Sequence, residues 1–211
     1  TLAWLDSGND TLMAEPVDLP EMVNGCVAMI RPLAEVKQIS VTTESDPGVV
    51  VVSDPGKIRE IVMTLLHNAI EYNRPGGTVT VVVQAAPWGG AKLVVQDTGI
   101  GMTPETQARI FERFFRADPS RNYSGAHAGI GLAIVQEYVN RLRGTIEVES
   151  TPSVGTAFTV TFPAINQLSK SKKDAPSQIL RRRSDSQGRT SQSRTADNSS
   201  PPTIETTVTG G

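Results

Sequence analysis

The period of the apolar residues switches back and forth along this chain, and that switching is the strongest constraint on its fold. Ile58, Ile61, Val62, Leu65, Leu66 and Ala69 recur at helical spacing after Asp54-Pro55, which opens the helix. Arg74-Pro75-Gly76-Gly77 stops it. The period then drops to two. Thr78–Ala85 and Lys92–Asp97 are β-rich runs joined through Pro87-Trp88-Gly89-Gly90, which predicts a hairpin. A glycine-punctuated stretch follows over 98–128. Helical spacing returns from Gly129 to Arg143, with Ile134, Val135, Tyr138, Val139 and Leu142 on one face and Gly144 as the stop. Thr145–Ser150 and Thr156–Phe162 predict a closing hairpin. Upstream, Asp18 caps a helix reaching Ile39, with Pro20 in its first turn, and Val41–Glu44 and Val49–Val52 read as short strands. This order predicts helices packed on one face of a mixed sheet.

Charge divides the 211 residues in two. Residues 167–211 carry eight basic and four acidic side chains, and residues 1–166 carry twelve and eighteen. The tail is rich in Ser, Thr, Gln, Arg and Pro and has no apolar period, so it is expected to be disordered. The acidic body argues against a nucleic-acid-binding surface. A single cysteine, Cys26, excludes an intrachain disulfide framework, and two histidines leave little for a zinc site. No apolar run approaches the roughly 18 residues of a membrane span.

Three segments carry polar groups or glycines in patterns that can serve chemistry. Thr64, Asn68, Glu71 and Tyr72 make a polar stripe beside the core stripe of the second helix. Asp97-Thr98-Gly99-Ile100-Gly101 ends an apolar strand with a carboxylate that can accept from an exocyclic amine, and its glycines allow close backbone approach. An aspartic-protease Asp-Thr-Gly is the competing reading, although that motif usually continues with Ser or Ala. Gly129-Ile130-Gly131-Leu132 places free N–H groups and a positive dipole end at a helix start, where phosphates bind. Neither a dinucleotide-binding fingerprint nor a P-loop is present. Between these segments lies Ile110-Phe111-Glu112-Arg113-Phe114-Phe115-Arg116, with three of the chain's five Phe.

Taken together and in order, Leu65–Tyr72, Asp97–Gly101, Phe111–Arg116 and Gly129–Val135 resemble the N, G1, F and G2 boxes of the ATP-binding domain of two-component sensor histidine kinases, in the GHKL ATPase superfamily. The resemblance spans residues 16–164. It implies an α+β fold: the two-layer α/β sandwich of GHKL (Bergerat) ATPases, with a mixed, mainly antiparallel sheet, helices on one face and an ATP lid. It implies ATP and Mg²⁺ as cofactors. Asn68 would be the metal residue, coordinating Mg²⁺ and serving catalysis. Tyr72 would lie against adenine or ribose, and Asp97 would accept from the adenine N6 amine. Gly99 and Gly101 would turn the chain under the nucleotide. Phe111 and Phe114 would anchor the lid, and Arg116 would approach the phosphates as the second catalytic residue. Gly129, Gly131 and Leu132 would offer N–H groups to phosphate. Thr156 would support Asp97.

The resemblance also carries departures and an organisation. Family members often have Asn at the position of Thr64, Lys or Arg at that of Glu71, and a hydroxyl where His127-Ala128 stand. Glu71 would repel triphosphate unless it points to solvent or to the metal. Residues 1–11 resemble the end of a dimerisation hairpin helix, residues 12–166 form the ATP-binding domain, and 167–211 form the basic tail. No His-Glu/Asp-x-x-x-Pro phosphoacceptor motif is present. The expected activity is therefore donation of the ATP γ-phosphoryl group to a histidine on a separate helical domain. The implied partners are the dimerisation/phosphoacceptor domain of the parent kinase and a response regulator, with no nucleic acid. Membrane contact would come only through the rest of the parent protein, a bacterial inner-membrane receptor with this domain in the cytoplasm. An anti-sigma-factor-type serine kinase and a non-catalytic nucleotide-binding module are the alternatives.

Overall fold

The computed structural model describes residues 13–87, 89–116 and 129–164. The segments 1–11 and 167–211, and His127 and Ala128, lie outside them. The elements run β1 (Glu15–Asp18), α1 (Leu19–Val36), β2 (Ser40–Ser45), β3 (Val50–Ser53), α2 (Pro55–Glu71), β4 (Thr78–Ala85), β5 (Ala91–Asp97), α3 (Pro104–Gln107), α4 (Gly131–Arg141), β6 (Thr145–Thr151) and β7 (Gly155–Phe162). A five-stranded sheet has the order β2-β4-β5-β7-β6. β2 pairs with β4 in parallel and every other pair is antiparallel. β1 and β3 form a separate two-stranded antiparallel ribbon.

The local signals act as elementary chemistry requires. Asp18 Oδ1 accepts the Glu21 N–H and Asp54 Oδ1 the Lys57 N–H, each satisfying an orphan donor of a helix whose first turn holds proline. α1 stops at Val36 rather than Ile39. Gln38 takes a left-handed φ of 58°, and the Ile39 N–H bonds back to the Ala34 carbonyl. α4 begins at Gly131, two residues after the expected start, because Gly129 has φ 68°. β1 was not foreseen, nor was the short α3 inside the glycine-punctuated stretch.

The core lies between one sheet face and the helices. Val79, Val81, Leu93, Val95, Val160 and Phe162 point inward from β4, β5 and β7 onto Val23, Ile58, Ile61, Val62, Leu65 and Leu66. Burying each such side chain contributes about 1.5–3 kcal/mol relative to exposure. Strict alternation on β5 buries Ala91, Leu93, Val95 and Asp97 on one face. A carboxylate therefore ends a row of core positions, at the point where the packed interior opens.

Candidate functional site

Asp97 and Thr156 are direct partners in the β5–β7 register, and both side chains turn inward. Asp97 Oδ1 accepts the Gly99 N–H at 2.8 Å and the Thr156 N–H at 3.3 Å. Oδ2 accepts no hydrogen bond among the described residues. Burial pushes the Asp97 carboxyl above its ordinary value of 3.8, and the N–H groups of Gly99 and Thr156 oppose that rise. A desolvated acceptor with one committed and one available oxygen is suited to a ligand N–H donor.

Asp97 lines a cavity of about 290 Å³. Asn68 and Tyr72 reach it from the C-terminal half of α2, Arg116 from the segment after Phe115, Leu132 from the first turn of α4, and Thr156 from β7. Gly101 also lines it. Seven of the ten site residues read from the sequence thus share one cavity, while Gly99, Gly129 and Gly131 are not part of its wall. The remaining wall is mainly apolar and escaped sequence reading: Ile100, Met102, Ile110, Phe115 and Phe158, with Thr103 and Thr106. Alternation along β7 marks Phe158 as inward, two residues after Thr156. Thr103-Pro104 is a helix-start pair, and Thr103 does accept the Thr106 N–H.

The strap Ile100–Ile110 is fastened at both ends. The Ile100 N–H bonds to the Tyr72 carbonyl, and the Ile100 carbonyl accepts from Ser153. The Met102 N–H bonds to Ser150 Oγ at 2.8 Å, and Gln107 Nε2 donates to the carbonyls of Met102 and Ser150. Gly99, just before the strap, and Gly101, within it, serve this packing. A Cβ on Gly99 would lie 2.3 Å from the Tyr72 carbonyl oxygen. One on Gly101, where φ is 64°, would lie 2.0 Å from that of Thr151. In both cases the close approach is to protein backbone.

Two expectations need correction. Phe114 does not anchor the lid segment: it has φ 66° and is 64% exposed, whereas Phe111 and Phe115 pack against the core. Phe114 and Phe115 are neighbours in the chain, and with the left-handed turn at Phe114 it is Phe115 that lies on the cavity wall. Glu71 points neither to solvent nor into the cavity. It forms an ion pair with Lys37 at the end of α1, and its side chain is only 10% exposed.

Thr64 lies outside the cavity wall, its methyl beside Gly131 at the start of α4. That helix start has no side-chain cap hydrogen bond and no acidic residue in its first turn, a character that suits an anion. Among the described residues no cluster of three or more His, Cys, Asp or Glu is arranged to hold a metal. No described helix is long and apolar enough to cross a membrane.

Residues 53–166 match the family model described as histidine kinase-, DNA gyrase B- and HSP90-like ATPase. The sensor-like histidine kinase SenX3 of Mycolicibacterium smegmatis is 35% identical over 149 residues, covering 71% of this chain and 38% of SenX3. The structure of full-length ShkA in complex with AMPPNP superposes with a TM-score of 0.68 at 28% identity, over 76% of this chain and 33% of ShkA. The mycobacterial sensor histidine kinase MprB gives a TM-score of 0.62 at 30% identity, over 72% of this chain and 97% of the solved one. The chain spans well under half the length of the curated relatives it matches.

Proposed function

The chain belongs to the family of histidine kinase-, DNA gyrase B- and HSP90-like ATPases, and on that premise we propose that its cavity holds ATP with the base against Asp97. The domain then donates the γ-phosphoryl group to a histidine on a separate helical domain. The observation that carries this reading is the buried Asp97 carboxylate on the wall of a mainly apolar cavity that also includes Asn68 and Arg116.

Each residue has a distinct part. Asp97 Oδ2 accepts from the adenine N6 amine, a charge-assisted bond worth about 1.5–3 kcal/mol. Tyr72 covers base or ribose, and Ile100, Met102 and Phe158 exclude water from the ring. Arg116 places a permanent positive charge toward the phosphates, where charge shifts during transfer. Leu132, Gly131 and Gly129 bring the α4 start to the phosphate end. Gly99 and Gly101 act by shaping the strap. Asn68 is the oxygen donor on this wall that suits Mg²⁺, a cation usually held by one or two side chains together with substrate phosphates. Bound Mg²⁺ would neutralise phosphate charge. In the transfer, the bond from the γ-phosphorus to the β,γ-bridging oxygen breaks. The unprotonated imidazole nitrogen forms the new bond to phosphorus, ADP leaves, and the proton on the other ring nitrogen passes to solvent.

The phosphoacceptor domain of the parent kinase and a response regulator are the proposed partners. A membrane receptor with this domain on the cytoplasmic side is the proposed setting. Relatives named as sensor histidine kinases support this reading over a serine kinase. The test is incubation with γ-labelled ATP, Mg²⁺ and a separately supplied histidine-bearing hairpin of a sensor kinase. Acid-labile label on the hairpin, lost with Asn68→Ala, is the expected result. Acid-stable label on a serine would favour the serine-kinase reading, and ATP binding without transfer the regulatory module.

A further inference from the structure

Ser150 lies on β6, outside the cavity, yet its hydroxyl meets three groups at once. Oγ accepts the Met102 N–H at 2.8 Å, donates to the Gly155 carbonyl at 3.0 Å, and lies 2.9 Å from Thr156 Oγ1. A serine hydroxyl has one proton and two lone pairs. The Met102 N–H can only donate and the Gly155 carbonyl can only accept. One lone pair is therefore used by Met102 and the proton by Gly155. The contact with Thr156 is then favourable only if Thr156 donates its own proton into the remaining lone pair of Ser150. The opposite assignment, with Ser150 donating to Thr156, would leave two oxygens facing at 3.0 Å with no proton between them.

We infer that Ser150 is a specificity-determining positioning residue: by taking the Thr156 proton, it makes the Asp97–Thr156 corner of the cavity a site of acceptors alone. Thr156 lines the cavity beside Asp97, and with its proton committed it offers a ligand only lone pairs. Such a corner favours an amino edge and disfavours a keto edge, whose oxygen would meet Asp97 and Thr156 without a proton to share. The inference rests on the nucleotide reading and adds that base selectivity is set partly by a residue that does not touch the base. Gln107 supports the arrangement by bonding the carbonyls of Ser150 and Met102.

The experiment compares ATP with inosine triphosphate, which replaces the 6-amino group by a keto oxygen and carries a proton on N1. Dissociation constants are measured with Mg²⁺ for the parent chain, Ser150→Ala and Ser150→Thr, with thermal melts alongside. The parent is expected to prefer ATP. Ser150→Ala frees the Thr156 proton and should narrow that preference about tenfold, roughly the factor one neutral hydrogen bond can supply. Part of the change should be an absolute gain in inosine triphosphate affinity, which loss of structure does not produce. Ser150→Thr keeps the hydroxyl and should keep the parent ratio. Should Ser150→Ala fail to melt cooperatively, Ser150→Cys takes its place, because a thiol is only a weak acceptor. Equal weakening of both nucleotides, or an unchanged ratio, overturns the inference while leaving the nucleotide site intact. A folded parent chain that binds neither nucleotide overturns the nucleotide reading, and this inference with it.

Discussion

The Thr156 N–H donates to Asp97 Oδ1 across the β5–β7 ladder, and the Gly99 N–H donates to the same oxygen. Two backbone groups thus fix the direction of one carboxylate and leave its second oxygen for a ligand. Asp97→Asn preserves the oxygen that these N–H groups need but replaces the ligand-facing acceptor with a donor. ATP affinity should fall at least about tenfold, the scale of a charge-assisted hydrogen bond. The unliganded domain should melt no lower than the parent at neutral pH, because a desolvated charge has been removed. Paired titrations and melting curves check both halves.

The pH dependence has a definite sign. The Asp97 carboxyl is raised in the folded state, so its protonated form is the one folding favours. Its contribution to stability is fully present below the ordinary value of 3.8 and is lost as pH rises through the folded value. ATP binding runs the other way, because an amine donor needs the ionised carboxylate. Affinity should weaken as pH falls through the raised value, and Asp97→Asn should flatten that part of the profile. Titrations at a series of pH values, with melts to confirm folding, test this.

Gly101→Ala should destabilise the domain by on the order of 3 kcal/mol, from the left-handed backbone cost and a clash with the Thr151 carbonyl. The damage should appear in urea unfolding without nucleotide, because the crowding is between strap and β6.

The Lys37–Glu71 pair leads to a contrasting result. Glu71 is held by the end of α1 and is absent from the cavity wall. Glu71→Gln should cost about 1 kcal/mol or less of stability, the scale of a partly exposed ion pair. ATP affinity should change less than about twofold, since no hydrogen bond to the ligand is lost. A large gain in ATP affinity would show instead that Glu71 repels the phosphates.

Much of this architecture was legible because the relevant signals are local. The helical stripe from Ile58 to Ala69 and the alternation through Ala91, Leu93 and Val95 specify both their elements and their buried faces, so Asp97 falls inward by register alone. The features that escaped depend on distant partners. β1 buries only Val17 and gains its strand geometry from β3, more than thirty residues away. The direction of Glu71 is set by Lys37, just past the end of α1. Phe114 and Phe115 have the same composition signal, and only the left-handed turn at Phe114 decides which of them packs. The apolar wall from Ile100 to Ile110 forms because Ser150 and Gln107 fasten the strap to β6, a pairing that spacing along the chain does not encode.

The most direct test of the nucleotide site is a calorimetric titration of the whole chain with ATP and Mg²⁺, beside Asp97→Ala. Saturable one-to-one binding by the parent, abolished in a variant that still melts cooperatively, is the predicted result. A folded parent chain that releases no heat and leaves a fluorescent ATP analogue free in solution would contradict the assignment of this cavity to ATP.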